Sequence, residues 1–115
     1  MASQGIEITK KNDGGIIRLI LKGYMDMNSS PDVREVLTQY FDGGTKAIIV
    51  DLSAVPYIDS SGIATLVEGL QWSHSTQKKF RLVGLTPTVK DIFEIARLLQ
   101  VFEVFSTQEE ATQGV

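Results

Sequence analysis

Cysteine is absent from this 115-residue chain, histidine and tryptophan occur once each, and proline occurs three times. The missing cysteine excludes disulfide frameworks, iron–sulfur clusters, thiolate zinc sites and cysteine nucleophiles, and it fits a reducing compartment. Long apolar runs are missing as well. Ile16 to Leu21 and Ala47 to Val50 are the most apolar stretches, the first broken by Arg18. Both fall far short of the roughly 20 residues a membrane span requires. The opening Met-Ala-Ser-Gln-Gly-Ile-Glu-Ile has neither the basic start nor the apolar segment of a secretory signal. Nor is there an excess of positive charge. Eleven basic against fourteen acidic residues leave −3, so nothing draws the chain to nucleic acid or to an anionic membrane. The expectation is a soluble, cytoplasmic protein with no direct nucleic-acid partner and no membrane insertion.

What is present is an ordinary globular balance, 43% apolar and 22% charged. The length suits one domain over residues 1–115, and no repeat, charge block or linker divides it. Ile6 to Thr9 alternates as a short strand, Asn12-Asp13-Gly14-Gly15 reads as a turn, and Ile16 to Lys22 as a second strand with Ile17, Leu19 and Leu21 on one face. Ser30-Pro31-Asp32 starts a helix, with Ser30 as N-cap and Pro31 in the first helical position. Val33, Val36, Leu37 and Tyr40 form its stripe, and Gly43-Gly44 stops it. The continuous run Ala47 to Val50 predicts a strand covered on both faces.

A second helix should run from about Ser60 to His74, with Ile63, Leu66, Val67 and Leu70 inward. Lys79 to Gly84 is a third buried-type strand, and Thr86-Pro87 repeats the cap-plus-proline start. Val89, Ile92, Phe93 and Ala96 give the third helical stripe. Phe102 to Phe105 is a short last strand, and Ser106 to Glu109 resembles a capping box opening a terminal helix. The fold class is therefore α/β (α+β mixed). One mixed four- to five-stranded sheet with about four helices follows, in the order β-β-α-β-α-β-α-β-α.

Catalytic chemistry finds few groups. The single histidine, His74, lies 14 residues beyond Ser60 on one helix, about 21 Å away, so no Ser–His pair can form. One histidine and scattered carboxylates offer no metal cluster, and no glycine-rich phosphate loop is present. No catalytic residue, metal or cofactor is expected. Asp59-Ser60-Ser61-Gly62 is different, because it puts two adjacent hydroxyls at the start of an amphipathic helix. It reads either as an N-cap run, Asp59 capping and Gly62 allowing close approach, or as a phosphorylation site. A phosphate there would bring about −1.5 to −2 charges beside free amides and the positive end of the helix dipole. Right-handed crossovers would set the loop around Asp26 and the first turn of this helix at one end of the sheet. Met25, Met27 and Ile63 could then form an exposed apolar patch for a partner, or else be ordinary turn-flanking residues.

The segment Asp51 to Ile63, DLSAVPYIDSSGI, resembles the signature of the STAS domain, in particular of the bacterial anti-sigma factor antagonists. The likeness extends to the opening hairpin, the Gly23-Tyr24-Met25-Asp26 turn, the Lys46 to Leu52 strand and Phe102 to Phe105. It implies a phosphorylation-gated switch. The unmodified protein would bind an anti-sigma factor that is also an ATP-using serine protein kinase and so free the sigma factor, and a serine phosphatase would reset it. By the same resemblance Ser60 is the phospho-acceptor, Ser61 the neighbouring hydroxyl, Asp59 the box aspartate and Asp26 an acidic residue of a loop near the acceptor. Many members carry a glycine where Arg97 stands, so the third helix is expected to end differently here. The resemblance leaves one alternative, an accessory subunit of a lipid-transporting ABC complex, which the intact Asp-Ser-Ser-Gly box fits less well than a phospho-switch.

Overall fold

The computed structural model describes residues 5–115. Its elements run β1 (Glu7–Asp13), β2 (Ile16–Lys22), α1 (Ser30–Gln39), β3 (Ala47–Ala54), α2 (Ser60–Thr76), β4 (Lys79–Val83), α3 (Pro87–Ile95), β5 (Glu103–Phe105) and α4 (Gln108–Thr112). The strands form one mixed five-stranded sheet ordered β1-β2-β3-β4-β5. β1 and β2 pair antiparallel, and every later neighbour is parallel.

β1 continues to Asp13, beyond the alternating Ile6 to Thr9, because pairing with β2 carries its polar second half into the sheet. Only Gly14 and Gly15 form the connection, with φ of +64° and +94°. A two-residue hairpin of this hand needs positive φ at both positions, which glycine adopts without strain. The Asn12 side chain accepts from the Gly15 amide at 3.0 Å and closes the turn.

Strand alternation then separates two faces. On the inner face Ile17, Leu19 and Leu21 of β2, Ile48, Val50 and Leu52 of β3, and Phe80 and Leu82 of β4 make one buried core with α1, α2 and α3. The outer face buries a smaller cluster, Ile49, Val83 and Ala111, under α4. Arg81, only 7% exposed, secures α4 there. Its Nε donates to Glu103 at 2.6 Å, and its Nη1 donates to the Ala111 and Gln113 carbonyls at 3.0 and 2.6 Å. Those carbonyls are groups that a helix C-terminus otherwise leaves unsatisfied.

Several helix ends differ from the sequence reading. The cap of α1 is Ser29, not Ser30, and its side chain does not cap: the hydroxyl donates to the Tyr24 carbonyl at 2.6 Å and accepts from the Asp26 amide at 3.0 Å. Pro31 is thereby the second helical residue. α1 stops at Gln39, ahead of Gly43-Gly44, where Phe41 leaves the helix to stack on Trp72 at 5.0 Å between ring centroids. α4 is capped by Thr107 rather than Ser106, with Glu110 reaching back to the Ser106 amide at 3.2 Å. At the end of α3, Arg97 adopts the left-handed conformation that the missing glycine was expected to prevent, φ +59°. The hydrogen bonds Arg97 N–H to Glu94 O (3.0 Å) and Leu98 N–H to Phe93 O (2.8 Å) hold it there.

Candidate functional site

The site is built where two loops are stitched together at the carboxyl end of β3. The loop after β2 is tied to the loop after β3 by Gly23 N–H to Ala54 O, Met25 N–H to Tyr57 O and Asp59 N–H to Met25 O, each 3.0 Å. Met25 and Ile58 thus form a short parallel bridge, and both side chains are fully buried. Met25 is therefore not part of an exposed patch, contrary to the sequence expectation. The bridge turns its side chain into the core, which local patterning cannot register. Ile63 is only half-buried and packs against the same core. Met27 is the one of the three that stands out, 73% exposed.

α2 begins on top of this stitching. A β-carbon at Gly62 would lie 2.6 Å from Ile58 Cγ1 and 2.9 Å from the Met25 carbonyl oxygen, so glycine is what lets the first turn rest on the bridge. Asp59 caps the helix: its Oδ1 accepts from the Ser61 amide at 2.9 Å, the Gly62 amide at 3.2 Å and the Ser61 hydroxyl at 2.6 Å. The Ser61 hydroxyl bond, joined by the Gly62, Ser61 and Met27 amides, holds the Asp59 carboxyl below its ordinary value, with burial opposing. The Ile63 amide bonds the Asp59 carbonyl at 3.0 Å. The amides of the first turn that the sequence left free for a phosphate are hence largely taken by Asp59.

The two hydroxyls of the box have separate fates. Ser61 turns inward, joined to Asp59 on one side and to Ser30 of α1 on the other, Oγ to Oγ 3.1 Å. Ser60 is exposed and, among the described residues, its hydroxyl makes no hydrogen bond. Asp26 lies in the neighbouring loop, where its carboxylate accepts from the Asn28 amide (2.9 Å) and the Ser29 amide (3.2 Å), an Asx turn that shapes the loop itself.

Two residues the sequence reading passed over complete the surface. Tyr24 and Tyr57 are 60% and 43% exposed, with ring centroids 6.2 Å apart. Their loop positions beside Gly23 and Pro56 were the available signal, since aromatic rings in turns have no core to fill. Next to Ser61, a groove of about 650 Å³ runs between α1 and α2, lined in part by Met27, Pro31 and Thr65. The Arg34–Glu68 ion pair, 2.9 Å, ties the two helices further along. His74 sits in the last turn of α2, at the end away from Ser60. Among the described residues no group of three or more His, Cys, Asp or Glu could hold a metal ion, and no helix is long and apolar enough to cross a membrane.

The sequence model of the STAS domain matches residues 7–111. The chain belongs to the STAS domain family. It is similar to the anti-sigma-B factor antagonist of Staphylococcus aureus (strain NCTC 8325 / PS 47), 32% identical over 82 residues, which is 71% of this chain and 76% of the relative. Its fold matches the crystal structure of an anti-sigma factor antagonist from Mycobacterium paratuberculosis at a TM-score of 0.87 and 21% identity, covering 99% and 97% of the two chains. It also matches the anti-sigma factor antagonist SpoIIAA. The unphosphorylated form gives a TM-score of 0.79 at 20% identity, over 91% of this chain and 92% of that one. The phosphorylated Bacillus form gives 0.72 at 19%, over 92% and 95%. In this STAS chain, as the element order shows, the Asp-Ser-Ser-Gly box falls at the β3–α2 junction.

Proposed function

We propose that this chain, acting as one STAS domain, is an anti-sigma factor antagonist gated by phosphorylation of Ser60. Unmodified, it binds an anti-sigma factor that is also a serine protein kinase and so releases the sigma factor; phosphorylation breaks the complex and a serine phosphatase restores it. The name of the Staphylococcus aureus relative and the phosphorylated form of SpoIIAA support this reading. The observation that carries it is the division of labour in the box: Ser61 is held by Asp59 and Ser30, while the Ser60 hydroxyl is exposed and unengaged. Only a hydroxyl in that condition can enter a kinase site without dismantling the helix cap. The role is that of ligand and substrate, not catalyst, and it takes place in the cytoplasm. Met27, Tyr24 and Tyr57 would supply apolar contact around the acceptor.

With Asp59 already satisfying the first-turn amides, a phosphate on Ser60 stays at the surface and acts on the partner rather than on the fold. Ser60→Ala should stay folded, at a loss of at most about 0.5–1 kcal/mol, and keep binding. Ser60→Asp should also fold, its charge being tolerated at the helix start. Its affinity should nevertheless drop about tenfold or more, because an added carboxylate beside Asp59 must be desolvated in the interface. Titration calorimetry with the cognate anti-sigma factor compares the two variants. Intact mass after incubation with that kinase and ATP should show one phosphate on the wild type and on Ser61→Ala, and none on Ser60→Ala. Equal affinities for the Ala and Asp variants, or phosphate retained on Ser60→Ala, would overturn the assignment.

A further inference from the structure

The outer face of the sheet is covered by α4 over β3, β4 and β5, while among the described residues no helix packs over the outward side of β1 and β2 beyond Ile16, which borders the α4 cluster. On this open half Ile16, Arg18 and Ile20 are half-buried, and the exposed Lys11 is the direct ladder partner of Arg18. Like charges opposed across an antiparallel pair repel, and an anion between them reverses the sign of that interaction. Arg18 lacks partners in a second way. Its Nε is buried with no hydrogen-bond acceptor, and its ion pair is a 4.0 Å approach to Asp13, whose side chain is 77% exposed. Arg18, Ile49 and Arg81 lie in one row across the sheet. Arg81 shows the satisfied form of an arginine in that row, with a carboxylate and helix carbonyls on its guanidinium.

The missing charge is present on the same face. In α4, Gln108 reaches toward Asp51 and Ala111 packs on Ile49 and Val83, which leaves Glu109 and Glu110 exposed on the opposite side. The recess over the hairpin, basic at its centre where Lys11 faces Arg18 and with Glu7 and Asp13 toward its two ends, therefore lies beside an acidic ridge. We propose that this face is self-complementary and that two copies of the chain pair through it about a two-fold axis. Each α4 ridge sits on the other copy's β1–β2 recess, with Glu109 against Arg18 and Lys11, and Ile20 covered. A two-fold contact satisfies both halves at once and closes at two subunits. An acidic helix of a foreign protein would answer Arg18 but leave the exposed Glu109 unmatched, which favours the second copy. Ser60 belongs to α2, which packs on the other face of the sheet, so both copies keep the acceptor open.

Sedimentation equilibrium of the whole chain at about 20 mM and about 500 mM salt tests this. A monomer–dimer equilibrium is expected whose Kd rises about tenfold or more at the higher salt, as the exposed pairs are screened. Arg18→Glu and Glu109→Lys should each dimerise about tenfold or more weakly alone, while an equimolar mixture of the two associates more tightly than either. Arg18→Gln removes the charge without placing a carboxylate in the recess, and circular dichroism melts establish that each variant is folded. It too should weaken the dimer. A wild type that stays monomeric at low salt, a dimer unchanged by Arg18→Gln, or a mixture no tighter than its parts would overturn the proposal.

Discussion

The inner face of the sheet is closed by three helices and a continuous apolar core, whereas the outer face is closed over β3 to β5 by a five-residue helix and one arginine. On the inner side stabilisation is spread over many side chains, each contributing on the order of 1.5–3 kcal/mol by burial. On the outer side a short helix cannot bury enough to hold itself. It depends on Arg81, whose desolvation is offset by Glu103, two carbonyls and the Phe105 ring 5.4 Å from its guanidinium carbon. Removing one part therefore has different consequences. A core residue weakens the whole inner face, and the arginine releases one element.

The strongest test of that contrast is Leu19→Ala. It should lower global stability by about 2–5 kcal/mol in urea unfolding, since Leu19 is fully buried at the centre of β2. Arg81→Met should cost less, about 1–3 kcal/mol, and act locally. Hydrogen exchange should show α4 amides losing protection while β2 and β3 keep theirs. If Arg81→Met unmakes the whole protein as Leu19→Ala does, the two faces are not closed independently.

The ends of the inner helices sharpen the comparison, because there the apolar face also relies on polar contacts. Asp59→Ala should destabilise by about 0.5–2 kcal/mol at neutral pH through loss of the α2 cap. Because the folded state holds the Asp59 carboxyl below its ordinary value of 3.8, the carboxylate's contribution is complete above about pH 4. It disappears as pH falls through the lowered folded value. Thermal melts of wild type and variant should accordingly converge in acid. The smallest effect runs the other way. Arg97→Gly should stabilise by about 0.5–1 kcal/mol, because Arg97 holds a left-handed conformation that glycine adopts freely. A loss of stability there would mean that the arginine side chain makes contacts outweighing its backbone strain.

Much of this architecture was readable from local pattern. Ile17, Leu19 and Leu21 alternate, Ala47 to Val50 is apolar throughout because helices cover both its faces, and Thr86-Pro87 marks the start of α3. The misses at helix ends, Ser29, Thr107 and Arg97, are settled by bonds within a few residues, whereas those at the site come from contacts between residues distant in the chain. Met25 is buried by its bridge to Ile58, and Ser61 is turned inward by Ser30, 31 residues away. Arg81 lies in a strand that reads as buried, and the groups that pair its guanidinium come from Glu103, Ala111 and Gln113 farther along the chain. The Arg97 turn follows from hydrogen bonds that bind the chain regardless of the side chain. At the candidate site the box itself was visible, but which hydroxyl is engaged depends on α1.

The strand order β1-β2-β3-β4-β5 repeats the order of the chain. Each strand can therefore dock on the edge left by its predecessor, and no strand must be inserted between two already joined. On a ribosome, which releases the N-terminal part first, the sheet can grow in the direction of synthesis. The α2 start that bears Ser60 rests on the loops after β2 and β3 and on Ser30 of α1, all of which precede α2 in the chain. Arg81 emerges before its partners Ala111 and Gln113 and must wait for them. α4 is the last element of the chain to be made, and a chain cut short before it would leave that buried guanidinium without its carbonyl acceptors.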